Sequence, residues 1–560
     1  MGPEYRTAAL RRLAEHEFDV LVVGGGVVGA GAALDAASRG LSVALLEAQD
    51  WAAGTSSRSS KLIHGGLRYL EQRDFALVRE ALRERSLLLS RLAPHLVRPV
   101  PFLYPLRHRL WERLYVGAGV TLYDTMGGAR ILPRHRQLSK RRALAIAPAL
   151  RAENLIGAIQ YYDAQVDDAR LVVALVRTAA RYGAVVATRT RVTRFRREDG
   201  KVVGAELTDL ESGAEIAVRA RQVVNATGVW TEEAQQLAEA PSRLTVRASK
   251  GVHVTVPRDR IAARTGLIVR TEKSVLFVIP WDNHWLIGTT DTEWRLDKAN
   301  PTATSADIDY ILEQVNSVLT DPLGRDDIDG VFAGLRPLLA GDSDETTRLS
   351  REHTVTRPAP GLVVIAGGKY TTYRVMARDA IDVAVQGFAE DVPESITDQV
   401  PVLGADGYRV LWNSRARLAT GHGLPVAVVE HLLGRYGSSV EELLALIDGD
   451  PELAEPLPGA TRYLKAEVVY AASHEGARRL VDVLSRRTRI SFEQRDRGVA
   501  AAPEAARLVA PVLGWDTVTT RREIERYLDQ VAAERAAEQQ PDDASANQAR
   551  QRPPGESLAS

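Results

Sequence analysis

Gly24-x-Gly26-x-x-Gly29 and Glu47, 18 residues past the last glycine, are the residue types that hold phosphates and a ribose. Gly24 permits a tight turn. Gly26 has no side chain to keep a pyrophosphate off the backbone. Gly29 lets the following helix lie close on a sheet. A helix that starts here points free N–H groups and a partial positive charge at the phosphates. Glu47 offers a carboxylate to both ribose hydroxyls and would repel a 2′-phosphate, which excludes an NADP pocket. Other candidates are cations and histidines in unusual settings. Arg336 sits among apolar residues in GLRPLL, a costly place for a permanent charge unless an anion is near. Lys369 follows Gly367-Gly368, and Arg68 follows Gly65-Gly66. His253 sits in the alternating segment VHVTV, and His64 precedes the glycine pair.

The elements that position these residues are legible. Val20 to Val23 is too short for a helix and rich in β-branched residues, so it predicts a buried strand. A small-residue helix follows from Ala30 to Ser38, with Gly40 as C-cap. A second strand, Ser42 to Leu46, delivers Glu47. QVVNATG, 222–228, predicts a buried strand running into a small-residue turn that carries Ala226 and Gly228. Val363 to Ala366 is a further short buried strand, placing Lys369 where open α/β sheets bind ligands. Between these lie alternating segments, VHVTVP, SVLFVIPW and WLIGTT, which predict a separate antiparallel sheet. The nucleotide domain is therefore expected to be assembled from dispersed segments.

Composition narrows the class. With 560 residues the chain has room for two to four domains at roughly 150 each. Lys plus Arg and Asp plus Glu number 72 each, so the global balance gives no argument for nucleic acid, and none is expected as a partner. There are no cysteines, which excludes a disulfide framework, thiolate catalysis and Cys-ligated metal clusters. No HExxH, Walker A or nucleophile-elbow motif occurs, and no metal is expected. Arg11-Arg12 imitates an export signal, but Glu15, Glu17 and Asp19 intervene. The charge-free run Val20 to Leu34 is too short to span a membrane. The expected location is cytoplasmic.

The chain divides as follows. Residues 1–17 are expected to form a helical, exposed extension. The nucleotide domain takes 18–99, 161–240 and 351–395. A substrate or cap segment takes 100–160, and a substrate domain 241–350. A helical domain follows at 396–530, with candidate helices Leu424–Arg435, Val440–Ile447, Ala466–Arg486 and Glu504–Val512. Residues 531–560 lack apolar periodicity and are expected to be disordered.

Six motifs occur in one order: GTSSRSSKLIHGGLRYLE (54–71), VNATGVW (224–230), SKGVHVTVPR (249–258), FVIPWDNHWLIGTTDTEW (277–294), GLRPLL (334–339) and GGKYTTYR (367–374). Together they resemble the FAD-dependent glycerol-3-phosphate dehydrogenases over roughly residues 18–390, and 466–492 resembles that family's C-terminal domain. The resemblance implies an α/β fold: a Rossmann-type FAD-binding domain, an inserted antiparallel-sheet substrate domain of glycine-oxidase type, and a C-terminal helical domain. It implies oxidation of sn-glycerol 3-phosphate to dihydroxyacetone phosphate, with electrons passing through FAD to a membrane quinone; with no cysteine for a thioether link, the FAD is expected to be non-covalent. A sister group uses oxygen and makes hydrogen peroxide. The implied cofactor residues are Gly24, Gly26, Gly29, Glu47, Ser59, Ser60, His64, Gly65, Ala226, Gly228, Gly368 and Thr371. Arg68 and Lys369 are implied to meet substrate; Tyr69 either donates to a phosphate oxygen or packs. Arg336 binds the phosphate or lies over the C2 hydroxyl, and His253 is the base or its orienter. Asp291, in GTTDTEW, is left outside the site. Departures from the family pattern are Arg58, Tyr370 and the polar tail. A homo-oligomer is expected. Peripheral membrane contact is expected through Phe102, Tyr104, Leu110, Trp111, Leu114 and Tyr115, interleaved with Arg107, Arg109 and Arg113, and through the basic run Arg134 to Arg142. Core packing of those aromatics is the alternative.

Overall fold

The structure is a computed structural model and describes residues 1–66, 74–107, 111–126, 132–153, 155–239, 244–272, 275–339 and 352–551. Five strands form a parallel core in the order Leu362–Gly367, Glu215–Asn225, Glu17–Val23, Val43–Leu46 and Val185–Ala187. They come from four distant stretches of chain, as the dispersed apolar runs predict. Val43–Leu46 is buried at every position, the pattern of a strand covered on both faces.

The helix Val27–Ser38 lies between the sheet and two further helices, Asp168–Arg181 and Tyr373–Val385. Its buried residues are mostly Ala and Gly. A β-carbon at Gly31 would come within 3.0 Å of Tyr373, so only small residues let three helices meet here. Asp168–Arg181 starts with Asp167 accepting the Arg170 N–H and stops before Gly183, whose φ is positive.

The second sheet has ten strands among the described residues. It joins the antiparallel strands expected within 250–290 to Val97–Leu106, Gly157–Val166 and Leu62–Ile63. Gly157–Val166 lies in this sheet, so the nucleotide domain resumes only at the helix from Asp168, later than the 161 boundary.

The N-terminal helix, Pro3–Glu15, is docked and not merely an exposed extension. Ala9 and Leu13 are buried, Tyr5 donates to the Ala184 carbonyl, and Arg6 pairs with Asp209. In the C-terminal domain the expected helix Ala466–Arg486 is broken. Lys465–Ser473 ends before Gly476, which takes a left-handed φ of +72°, and a short turn restarts at Leu480.

The expectation of disorder at 531–560 fails for 531–551. A helix runs from Thr517 to Glu538 and a second from Asp543 to Gln551; residues beyond 551 lie outside the described set. Tyr527, Val531, Ala537 and Ala546 are buried. Arg497 and Glu538 form a buried bidentate pair at 2.6 and 2.7 Å. The polar composition reflects helices that bury one narrow stripe and ion pairs. Deleting residues 531–560 should destabilise the protein by about 3–5 kcal/mol, because Arg497 loses the carboxylate that matches its charge. Thermal unfolding reads this; an unchanged Tm would return the segment to the status of a loose tail.

Candidate active site

A cavity of about 1630 Å³ is lined from both sheets. At one end stands the glycine turn. Gly24 has φ +112°, and a β-carbon there would come 2.6 Å from the Ala226 carbonyl. A β-carbon on Gly29 would fall 1.9 Å from the Gly24 carbonyl oxygen, so this glycine packs the helix on the turn and does not line the cavity. Gly26 is the N-cap of the helix and carries no capping side chain. Ser56 Oγ accepts the Val27 N–H at 3.0 Å, tying the serine loop to the first turn.

Glu47 lines the cavity and has a second task the sequence did not disclose. Its Oε2 accepts the Gly25 N–H and its Oε1 the Gln49 N–H, both at 2.7 Å. The carboxylate therefore shapes the turn as well as lining the cavity. Each oxygen keeps a second lone pair. Burial pushes the carboxyl pKa up, against the pull of these two N–H groups. A bare glycine cradle, an uncapped helix start, an acid at the end of the second strand and ample volume fit a dinucleotide such as FAD.

At the other end, two antiparallel strands line the cavity. Val246–Pro257 pairs with Gly330–Leu339 so that Ser249 faces Arg336, Gly251 faces Gly334 and His253 faces Phe332. Side chains alternate along a strand, so these positions share one sheet face. Glycines keep that face open. A β-carbon on Gly251 would come 2.8 Å from the Arg336 guanidinium, and one on Gly334 would come 2.5 Å from the Arg58 carbonyl. The serine loop and the arginine occupy the space that larger residues would fill.

Arg336 donates to Thr289 Oγ1 at 3.2 Å and to the Thr290 carbonyl at 3.3 Å, and it lies 3.6 Å from Asp291. Asp291 in turn accepts the Ser249 hydroxyl. Asp291 therefore belongs to this site. Its signal was present: an acid just past a strand that ends beside the presumed substrate face.

His253 is buried, with Nε2 2.9 Å from Ser60 Oγ. Its ring stacks on Phe332 at 4.9 Å and 13°. Burial first, then the positive charges of Arg336 and Lys61, hold its pKa well below 6.5. The imidazole is neutral at ordinary pH.

The remaining predicted residues divide. Ser59, Ser60, His64, Ala226, Gly228, Gly368, Lys369 and Thr371 line the cavity. Thr371 Oγ1 accepts the His64 N–H at 3.1 Å and lies 3.2 Å from the His64 carbonyl, fixing that loop. Gly65 does not line it, contrary to expectation. A β-carbon there would meet Leu82 at 2.6 Å, and its N–H goes to the Tyr123 hydroxyl; Gly66 lines the cavity instead. A GG pair cannot show from sequence which glycine faces the ligand. Arg68 and Tyr69 lie outside the described residues.

Lys61 and Asp168 carried no signal in the sequence. Asp168 accepts the Ser59 N–H, the Ser59 hydroxyl and the Lys61 ammonium at 3.0, 2.7 and 2.9 Å. Burial first, then the Arg489 charge, pushes Lys61 down to about 8, although Asp168 opposes both.

Comparison with known proteins follows the same division of the chain. Residues 19–379 match the FAD dependent oxidoreductase family, and residues 395–520 match the C-terminal domain of alpha-glycerophosphate oxidase. Glycerol-3-phosphate dehydrogenase 2 of Mycobacterium tuberculosis is 58% identical over 534 residues, covering 95% of this chain and 91% of its own. Glycerol-3-phosphate dehydrogenase of Mycobacterium leprae is 56% identical over 534 residues, with the same 95% and 91% coverage. The crystal structure of glycerol-3-phosphate dehydrogenase from Bacillus halodurans, complexed with FAD, superposes with a TM-score of 0.79 at 29% identity, covering 95% of this chain and 97% of its own. With its glycine cradle, its divided nucleotide domain and its helical C-terminal domain, the chain belongs to the FAD-dependent glycerol-3-phosphate dehydrogenases.

Proposed function

We propose that this enzyme oxidises sn-glycerol 3-phosphate at C2 to dihydroxyacetone phosphate and delivers the electrons to a membrane quinone. The observation that carries the first half is the shared sheet face: a neutral, buried histidine and a held arginine beside the cavity that suits the flavin. When bound, FAD supplies a hydride acceptor for the substrate carbon. His253 takes the hydroxyl proton through Ser60: the serine hydroxyl accepts it from the substrate as it passes its own proton to Nε2, the nitrogen it is hydrogen-bonded to. A free-enzyme pKa far below neutrality makes a weak base. A phosphate dianion brought beside the ring favours the imidazolium and raises that pKa, so binding strengthens the base. Arg336, oriented by Thr289, Thr290 and Asp291, stabilises charge developing on the C2 oxygen. Lys369, at the end of its parallel strand, supplies a cation for the phosphate, with Arg68 and Tyr69 proposed alongside it.

What supports a quinone as acceptor is one exposed helix face. Among the described residues no helix is long and apolar enough to cross a membrane. On Trp111–Met126, however, Leu114, Tyr115 and Leu122 are 74%, 54% and 40% exposed. Arg107, Arg134, Arg136, Lys140, Arg141 and Arg142 are at least partly exposed in neighbouring segments. Apolar and cationic groups together suit an anionic bilayer surface. The aromatics divide between the two sequence readings. Phe102 is core and Tyr104 half-buried, whereas Leu114 and Tyr115 are exposed; Leu110, Arg109 and the Trp111 side chain lie outside the described residues.

His253→Asn should lower kcat about 100-fold, the scale of a lost general base. A raised KM with kcat unchanged would assign the histidine to binding. Lys369→Met should impair glycerol 3-phosphate far more than unphosphorylated glycerol, because the dianion loses a charge partner in a partly dry site. Equal loss for both alcohols would reassign the lysine to the flavin or the fold. For the acceptor, the protein should sediment with anionic vesicles at low salt and release at high salt. A short-chain quinone should also reoxidise the flavin faster than oxygen does. Stoichiometric peroxide from a protein indifferent to vesicles would establish an oxidase.

A further inference from the structure

One short stretch of the C-terminal domain, Arg489 to Glu493, reaches both the serine loop and the strand pair that carries His253. Arg489 is 1% exposed. Its guanidinium donates to Asp167 and Asp168 and to the Ser485 carbonyl, and Nη1 lies 3.5 Å from the Ser57 carbonyl. Asp168 is also where the serine loop is fastened, through Ser59 and Lys61. Lys61 binds the Ser57 carbonyl at 3.1 Å and adopts a left-handed φ of +57°, a backbone state that a lysine holds only when its surroundings enforce it. Ser60 lies between these two anchored residues, and its hydroxyl meets His253. One route from the C-terminal domain to the histidine therefore runs through charge and the serine loop.

A second route runs through rings. Phe492 packs on Phe332 with centroids 5.2 Å apart, and Phe332 stacks on His253. Phe492 is itself pinned. Its carbonyl accepts the Thr255 hydroxyl at 2.6 Å, from the same strand as His253. The next residue, Glu493, accepts the Trp281 indole N–H and the Tyr463 hydroxyl, each at 2.7 Å. A β-carbon at Gly330 would come 2.3 Å from the Phe492 carbonyl, so the segment is wedged against the strand that carries Phe332 and Arg336. Ser60 holds one edge of the imidazole and Phe332 covers one face, and both are backed by residues of the C-terminal domain.

We propose that Arg489 and Phe492 are positioning residues for His253, so that the C-terminal domain sets the rate of proton removal without meeting the substrate. This rests on the reading of His253 as the base. A ring held from two sides loses little by way of reorientation before reaction, and small misplacements of a reacting group carry large rate penalties. Cutting either hold should therefore lower kcat more than it raises KM.

The test uses full-length holoenzyme. Arg489→Met, Arg489→Lys, Phe492→Leu and His253→Asn are compared, along with the double variant Phe492→Leu, His253→Asn. Flavin content per chain and Tm are measured for each, and kcat is expressed per bound flavin. Phe492→Leu, which keeps most of the volume, should lower kcat about 10-fold with KM for glycerol 3-phosphate within about 3-fold of the parent. Arg489→Met should lower kcat by more, and Arg489→Lys should recover part of the loss. The double variant should be no slower than His253→Asn alone, because a residue that acts only by holding the ring has nothing to act on once the ring is gone. Where Arg489→Met fails to fold, Phe492→Leu and the cycle carry the test. If His253→Asn alone spares kcat, the base reading falls and the proposal with it. If His253→Asn costs about 100-fold while Phe492→Leu and Arg489→Lys cost nothing at full flavin, the base stands and the positioning role is overturned. Multiplying losses from Phe492→Leu and His253→Asn would overturn it too, since packing alone would then explain them.

Discussion

Every charge taken out of water in this molecule has to be matched, and that constraint governs how its domains meet. Asp50 is 1% exposed and takes hydrogen bonds from both Arg486 and Arg487. Arg170 pairs with Glu475, and Arg489 with Asp167 and Asp168. The carboxylates at 50, 167 and 168 lie in the nucleotide-binding region; the arginines at 486, 487 and 489 lie in the helical domain. Removing one partner of a buried pair typically costs about 3–5 kcal/mol, a large part of a protein's net stability. The two domains are therefore one unit in energetic terms. Apolar contact alone tolerates sliding, whereas a guanidinium fork on a carboxylate fixes register.

The same economy reaches the reacting groups. Arg336 is spared from collapse onto a carboxylate because Thr289 and Thr290 supply neutral acceptors, and Asp291 stands 3.6 Å off. A direct tight pair would neutralise the charge that a substrate oxygen needs. His253 gains neutrality from burial between two cations, and the glycines beside it let the strands approach the serine loop. Binding groups and structural groups thus differ in one respect: the first line the cavity, and the second are turned toward each other.

How much of this the sequence disclosed depends on distance along the chain. The dinucleotide unit was legible because strand, turn, helix and acid fall within one local stretch. Arg336 stood out because a charge among apolar strand residues is costly, Lys369 because it follows a glycine pair at the end of a buried strand, and His253 because of the motif SKGVHVTVPR around it; all three line the cavity. The second role of Glu47 was hidden because it depends on where the Gly25 N–H points. Gly65 and Gly66 could not be told apart by type. The ionic seam was invisible because its partners lie up to 437 residues apart, and arginine in a helix reads as a solvated face. Residues 531–551 were misread because polar helices that bury Ala and Val on a thin stripe have the composition of a linker. The split of 466–486 hinged on one glycine with positive φ, which apolar periodicity ignores.

The Lys250 ammonium is 1% exposed, and its two carboxylates, Asp307 and Asp543, come from the same domain and from the last described helix. Synthesis runs in one direction. Asp543 leaves the ribosome 293 residues after Lys250, and Arg487 leaves 437 residues after Asp50. At ordinary elongation rates those gaps last roughly 15–60 s and 20–90 s. Through that interval the nucleotide sheet can form, but Asp50 has no arginine to meet it, and its carboxylate must stay hydrated or protonated. The native interior can close only after Arg487 and Asp543 have been made. Folding of this protein is in that sense governed by segments far downstream of its nucleotide sheet, and a nascent chain waits, partly open, with a wet seam where the folded molecule is dry.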